Sequence, residues 1–277
     1  MKAMMTAVAA LTAGIAMADV TSANIVGYQN AEFKNAQYNM CAASILPVGM
    51  QKANMKLKDL VPNEDFSLSS IMFATPGGAT PRVDFKGKQV PQKYVWWTED
   101  DEPEAGTAGW YLYDDDDGEI NQGELPLPFG TGFFVYRHAA ETTANLVYSG
   151  EVQQEPITLN FPNSQYNMVG NCSPVNLTLA DITPNEEFSL SSIMFATPGG
   201  ATPRVDFKGK QVPQKYVWWT EDDEPEAGSA GWYLYDDDDG EINQGALQIK
   251  AGEGFFVYRH AAETAAELQI PSPIPAK

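Results

Sequence analysis

Residues 62–140 and 184–262 are one passage written twice, aligned without a gap at an offset of 122, with 71 identities in 79 positions. No other feature constrains the fold as much, because whatever structure one copy adopts the other must adopt too. The period matches an ordinary domain and is too long for a solenoid repeat. The flanks extend the match: SANIVGYQNAEFKNAQYNM near the N-terminus reads like a shortened form of TTANLVYSGEVQQEPITLNFPNSQYNM after the first copy. A unit therefore begins with a strand leading into QYNM and ends with a strand like ANLVYSGEV. This divides the chain into residues 1–18, a first unit over 19–150 and a second over 151–277, with a junction near Gly150–Gln154 too short to let the units swing freely. Six of the eight differences fall between Glu124 and Thr131, where GELPLPFGT faces GALQIKAGE. That pattern reads as a surface strand or loop tolerant of change.

Inside each unit the signals are those of β-structure. Short aromatic and β-branched runs such as FSLSSIMFA, KYVWW, GWYLY and GFFVYRH are separated by TPGGATP, KGK and acidic Gly/Pro connections, with turn signals roughly every 10 residues. The predicted fold is all-β, two tandem antiparallel sandwich or barrel-like domains, each with one or two short helices, at Met55–Leu60 and Leu177–Ile182. Strand alternation places Tyr94, Trp96 and Thr98 on one face of KYVWWT and Val95 and Trp97 on the other; Trp110 and Leu112 lie opposite Tyr111 and Tyr113.

The first 18 residues have the three parts of a cleaved secretory signal peptide: Lys2, an apolar run through Ile15, and Ala16-Met17-Ala18 as the cleavage site. That run is too short to be retained as a membrane span, and no later stretch offers about 18 consecutive apolar residues. The chain is expected to be secreted or held at the cell surface, and not to span a membrane. It carries 17 Lys+Arg against 37 Asp+Glu, net −20; loss of Lys2 with the signal leaves 16 against 37, net −21. So acidic a surface disfavours nucleic acid, whose binding needs cations to displace counterions. The two cysteines, Cys41 and Cys172, follow the QYNM strings at different spacings; an exported compartment permits a bridge between them, and two buried thiols are the alternative.

The order QYNMVGN, an acidic hairpin, GxGFFVYR (Gly130–Arg137 and Gly252–Arg259), then LVYSGEV resembles repeats in uncharacterised secreted bacterial β-rich proteins whose starts read like ANIVGYQ. The resemblance spans essentially the whole chain after the signal. It implies a secreted β-rich surface or extracellular protein and brings no activity, ligand or catalytic residue.

Three features carry possible chemistry. In YDDDDGEINQGE, Asp115, Asp117 and Glu124 fall at positions 3, 5 and 12 of a twelve-residue calcium loop, with Gly118 at 6 and Ile120 at 8. The second copy keeps Asp237 and Asp239 but has Ala246 for the glutamate. Oxygen ligands at alternate positions suit Ca2+, whereas a charged hairpin turn needs only Asp-Gly. Next, Trp96, Trp97, Trp110, Tyr111 and Tyr113, with Trp218, Trp219, Trp232, Tyr233 and Tyr235, form either an aromatic platform for sugar rings or the core and cross-strand pairs of a sandwich. Third, residues 81–98 carry Arg82, Lys86, Lys88 and Lys93 against Asp84, while residues 99–119 hold ten acids and no base. Units so polarised can meet basic face to acidic face, and a head-to-tail contact that does not close makes a filament.

Catalysis has no constellation behind it. His138 and His260 occupy the same repeat position, with no nucleophile elbow or zinc spacing nearby. The expected role is a secreted or cell-surface structural and interaction protein, self-assembling, and not an enzyme. The rival is a tandem carbohydrate-binding module with calcium-dependent acidic loops, whose partners would be envelope or extracellular glycans.

Overall fold

The structure, a computed structural model, describes residues 26–33, 38–50, 52–73, 82–83, 89–90, 92–98, 107–112, 121–137, 143–161, 166–195, 204–205, 211–212, 214–220, 229–234, 243–259 and 265–274. Residues 1–18, where a signal peptide is expected, lie outside them. The chain is all-β, built from several antiparallel sheets.

The first half contains β1 (Val26–Phe33), β2 (Tyr38–Ala42), β3 (Val61–Pro62), β4 (Ser70–Phe73), β5 (Arg82–Val83), β6 (Gln89–Val90), β7 (Gln92–Trp97), β8 (Gly109–Leu112), β9 (Gly132–Tyr136) and β10 (Ala144–Glu151). They make a five-stranded sheet in the order β2-β9-β4-β7-β8, a three-stranded sheet β1-β10-β3, and the ribbon β5-β6. The second half follows with β11 (Ile157–Phe161), β12 (Tyr166–Gly170), β13 (Leu177–Thr178), β14 (Thr183–Pro184), β15 (Ser192–Phe195), β16 (Arg204–Val205), β17 (Gln211–Val212), β18 (Gln214–Trp219), β19 (Gly231–Leu234), β20 (Gln248–Ile249), β21 (Gly254–Tyr258) and β22 (Ala266–Ile270). Its sheets, β12-β21-β15-β18-β19, β11-β22-β14 and β16-β17, repeat the topology of the first half, and β13-β20 is added. In the first half that last pairing shrinks to one bridge, Lys56 with Pro126, because proline has no N–H to extend a ladder.

The short helices expected near Met55–Leu60 and Leu177–Ile182 are single 3-10 turns, Leu57–Asp59 and Leu179–Asp181. Each is closed by its own aspartate: the Lys56 and Thr178 backbone N–H groups donate to Asp59 and Asp181 carboxylates at 2.7 Å. Each is halted by the extended strand that follows, Val61–Pro62 or Thr183–Pro184. Leu57 and Leu179 are fully buried, and each contributes about 2 kcal/mol of apolar burial.

An aromatic chain ties the two sheets of each half together. Phe33 on β1 meets Phe66 edge-on at 6.1 Å, and Phe66 meets Trp110 on β8 at 5.8 Å. Phe161, Phe188 and Trp232 repeat the arrangement at 6.1 and 5.8 Å. The half-copies differ where proline intervenes. The β1–β10 ladder continues through Tyr28 with Ser149, Gly27 with Gly150 and Val26 with Glu151. The matching positions of the second half hold Pro156, Pro271 and Pro273, and its ladder stops at Ile157 with Ile270.

The halves meet along a seam with approximate two-fold symmetry. Cys41 bridges Glu253, and its mirror image is the bridge between Val169 and Thr131; in the repeat alignment Cys41 matches Val169 and Thr131 matches Glu253. On the axis, equivalent residues touch one another: Phe134 and Phe256 rings lie 6.0 Å apart. A Cβ added to Gly170 would sit 2.5 Å from the Cβ of Ala42, its counterpart. Close approach demands glycine here: a Cβ on Gly132 would lie 2.6 Å from the Val169 carbonyl oxygen, and one on Gly254 would lie 2.7 Å from the Cys41 nitrogen. The Ala42 N–H donates to the Gly252 carbonyl at 2.9 Å, and buried residues of both halves join in one apolar cluster.

Candidate binding face of the five-stranded sheets

Register decides which aromatic side chains are available. Strand β7 pairs with β8 through Tyr94–Leu112, Val95–Tyr111, Trp96–Trp110 and Trp97–Gly109. Tyr94, Trp96, Trp110 and Leu112 therefore share the inward face, as the alternation predicts, and Trp96 packs edge-on against Trp110 at 5.2 Å. Trp110 is 1 % exposed. Burial pushes the Tyr94 phenol up to about 12.

The opposite face, where an aromatic platform for sugar rings would stand, is largely covered: Val95 and Tyr111 are 2 % and 1 % exposed. The reason is local. Gly109, opposite Trp97, has no side chain, so the Trp97 ring lies over the diagonal neighbour Tyr111, stacked at 4.9 Å and 21°. The Tyr111 hydroxyl donates to the Thr107 carbonyl at 2.9 Å. In the second copy Trp219 stacks on Tyr233 at 4.9 Å and 20°, Trp218 meets Trp232 at 5.2 Å, and the Tyr233 hydroxyl donates to Ser229. Of the eight described members of the aromatic set, Trp97 and Trp219 are the half-buried ones on this face, each with one ring face already covered. Tyr113 and Tyr235 lie outside the described residues.

Further along the same outer face come residues that the hairpin motif did not single out. Phe134, Met72 and Lys93 align across β9, β4 and β7, with Tyr136 and Ser70 in the next row. The Lys93 ammonium sits over the Tyr136 ring, 5.3 Å from its centroid; Lys215 does the same over Tyr258 at 5.2 Å. Alternation in GFFVY carries this signal, since Phe134 and Tyr136 must oppose Phe133 and Val135. The face therefore offers a half-buried indole, a cation over a phenol and apolar side chains, and Phe134 at its far end enters the seam.

The free edge of β8 is closed. The Gln122 N–H donates to the Trp110 carbonyl at 2.6 Å, and the Asn121 side chain accepts from the Gly123 N–H at 2.8 Å. A Cβ on Gly109 would lie 2.0 Å from the Asn121 amide nitrogen. The second half repeats this with Gln244, Asn243 and Gly231. Covered edges of this kind resist strand addition by other chains.

Of the calcium-loop residues, Asp115, Asp117, Asp237 and Asp239 lie outside the described residues. Glu124 is held by ion pairs with Lys56 and Lys58. Its carboxyl is lowered to about 2, first by the hydrogen bond from Lys56 and then by that from Lys58. A carboxylate already neutralised twice is a poor twelfth ligand. The trio changes as a unit: the matching positions are Thr178, Ala180 and Ala246. Among the described residues no three His, Cys, Asp or Glu side chains cluster as metal ligands would.

The divergent segment 124–131 is also placed differently from the surface loop expected of it. Leu127 and Phe129 are 1 % and 7 % exposed. A Cβ on Gly130 would lie 2.9 Å from Leu159 and 3.2 Å from Cys172, both in the other half. The second copy of the segment faces the first half in turn: a Cβ on Gly252 would lie 3.2 Å from the Ala42 carbonyl oxygen and 3.2 Å from the Gln29 amide nitrogen.

Cys41 and Cys172 stand as separate buried thiols, so the bridge left open by the sequence is not formed in this structure. The Cys172 thiol donates to the Gly170 carbonyl, two residues earlier, at 3.2 Å. Burial pushes both thiols up, Cys172 to about 12. Two arginines are buried in like fashion, Arg137 donating to the Ser69 hydroxyl at 3.0 Å and Arg259 to Ser191 at 2.9 Å.

No protein-family model matches the chain, and no curated protein matches it. Among solved structures, that of the Macrobrachium rosenbergii nodavirus is 11% identical over 99% of this chain and 92% of that chain, with a TM-score of 0.11. A likeness that low carries no argument about fold or role.

Proposed function

We propose that the chain is a secreted or cell-surface structural and interaction protein, exported by its N-terminal segment, that presents a duplicated β block and assembles with copies of itself. The observation behind this reading is the seam: two copies pack against each other through equivalent residues, Phe134 on Phe256 and Ala42 on Gly170. The aromatic residues of the hairpins support it by acting mainly as packing. Charge segregation along each copy supplies the means of assembly, basic 81–98 against acidic 99–119, which predicts association that weakens as salt screens it. Electron microscopy of the native material, with light scattering at low and high salt, tests the reading. Ordered polymers or envelope-bound particles that dissociate with salt are expected; monomers at low salt with no envelope association would overturn it.

A second reading keeps a specific observation. Trp97 and Trp219 repeat one half-buried indole in the same setting, beside an acidic connection, as a tandem carbohydrate-binding module would. Tryptophan fluorescence titrated with a polysaccharide panel, with and without Ca2+, tests it: a saturable shift lost in the Trp97→Ala, Trp219→Ala double variant supports the module, and no shift with any glycan removes it.

A further inference from the structure

The seam is more than a contact between neighbours. Each half carries a surface able to pair with its own likeness, because both members of every mirrored contact derive from equivalent positions: Cys41–Glu253 with Val169–Thr131, the glycines at 132 and 254 against opposing backbone, and Phe134 against Phe256. A self-complementary patch of this kind is what a two-fold dimer of single units uses. Here it is satisfied within one chain, through the short connection between Glu151 at the end of β10 and Ile157 at the start of β11. Nothing in those contacts depends on the two halves belonging to the same molecule.

We infer that the seam also takes a second copy of this chain by exchange of halves: the first half of one molecule pairs with the second half of another, reciprocally, and the same contacts form between chains. The inference rests on the self-assembling structural role proposed above and supplies one contact for it. Divergence sets the pairing. Six of the eight differences between the copies lie at Glu124–Thr131 and its counterpart. Glu253, 8 % exposed, stands where the first half has Thr131. Joining two second halves would put two such carboxylates in one seam, where like charges repel, whereas first-to-second pairing holds one per seam. Exchange between unlike halves is therefore favoured over pairing of two second halves.

The connection also limits exchange. Residues 152–156 end in Pro156, and the Gln153 carbonyl is held by the Ser272 hydroxyl at 3.3 Å. A short tether gives the internal seam an effective concentration of about mM, so dilute chains remain closed and exchange appears when chains are crowded or transiently opened. Short hinges of this type are the sites where swapping starts.

Disulfide trapping across the seam tests this with the full chain. Glu253→Cys faces native Cys41, and the pair Thr131→Cys with Val169→Cys provides the mirrored trap, so failure of one variant to fold leaves the other. Chains oxidised while dilute should run as monomers on a non-reducing gel. Chains concentrated to about mM, or refolded together, and then oxidised should run as covalent dimers. Mixed populations carrying two mass tags should give the hybrid dimer by native mass spectrometry. Absence of interchain links under crowding overturns the exchange. Hybrid dimers that still form after the seam is locked within each chain also overturn it, while salt-sensitive assemblies that persist under that lock leave the structural role intact.

Discussion

Phe134 and Phe256 occupy the same position in the two copies and touch each other, their ring centroids 6.0 Å apart and their planes at 57°. Equivalent residues meet only on a two-fold axis, so this contact marks the centre of the seam. Exchanging each for leucine removes the ring pair with little change of volume. In a double-mutant cycle, Phe134→Leu and Phe256→Leu should couple by about 0.5–1.5 kcal/mol, the worth of an aromatic pair beyond its area. Chemical denaturation measures it, and strictly additive losses would deny the contact.

Gly132 and Gly254 make a stricter test of symmetry. An added methyl at either meets backbone atoms at 2.6 or 2.7 Å, which cannot rotate away as a side chain could. Gly132→Ala and Gly254→Ala should each cost about 1–3 kcal/mol, in the range of overpacked interiors, and by similar amounts. Gly123→Ala is a useful comparison, since its nearest obstacles are side-chain atoms of Asn121 and Lys58. Thermal melts of the three variants decide the order.

Trp110 and Trp97 are neighbours in sequence pattern but differ in role. Trp110→Ala opens a cavity in the core and should cost about 3–5 kcal/mol. Trp97→Ala uncovers Tyr111 and should leave a cooperative melt. Reversal of that order would place the binding face elsewhere.

The Lys56–Glu124–Lys58 cluster predicts a pH effect of known sign. The Glu124 carboxyl is lowered to about 2, so its favourable interaction is complete above the ordinary carboxylate range and is lost as pH falls toward 2. All three side chains are substantially exposed, so solvent and salt screen the effect heavily. NMR titration should show the Glu124 carboxyl rising toward its ordinary value as salt increases. Lys56→Thr, Lys58→Ala and Glu124→Ala together, copying the second half, should leave the melting temperature nearly unchanged.

Both thiols should resist a thiol reagent in the native state and react together on unfolding, because burial pushes each up and leaves little thiolate. Rapid labelling of either in the folded chain would contradict their placement.

Much of the fold was legible because periodicity and repetition are local or one-dimensional signals. Alternation in KYVWW and GWYLY correctly assigns Tyr94, Trp96, Trp110 and Leu112 to one face. It cannot tell that Tyr111 on the other face is covered, since that depends on Gly109 leaving space for Trp97 to lean across. The loop-like composition of GELPLPFGT was misleading for the same reason: Leu127 and Phe129 are buried, and Gly130 lies against Leu159 and Cys172 of the other half, a contact between segments remote in sequence. Nor could spacing reveal that Glu124 is taken by Lys56 and Lys58, more than sixty residues earlier in the chain.

The most direct test of the two-fold seam is a nuclear Overhauser experiment on the full chain with labelled phenylalanine, with Phe134→Leu and Phe256→Leu used for assignment. A ring-to-ring cross-peak between Phe134 and Phe256, lost in either variant, is the predicted result. Two fully assigned rings with no cross-peak between them would mean that the copies do not face each other through equivalent residues.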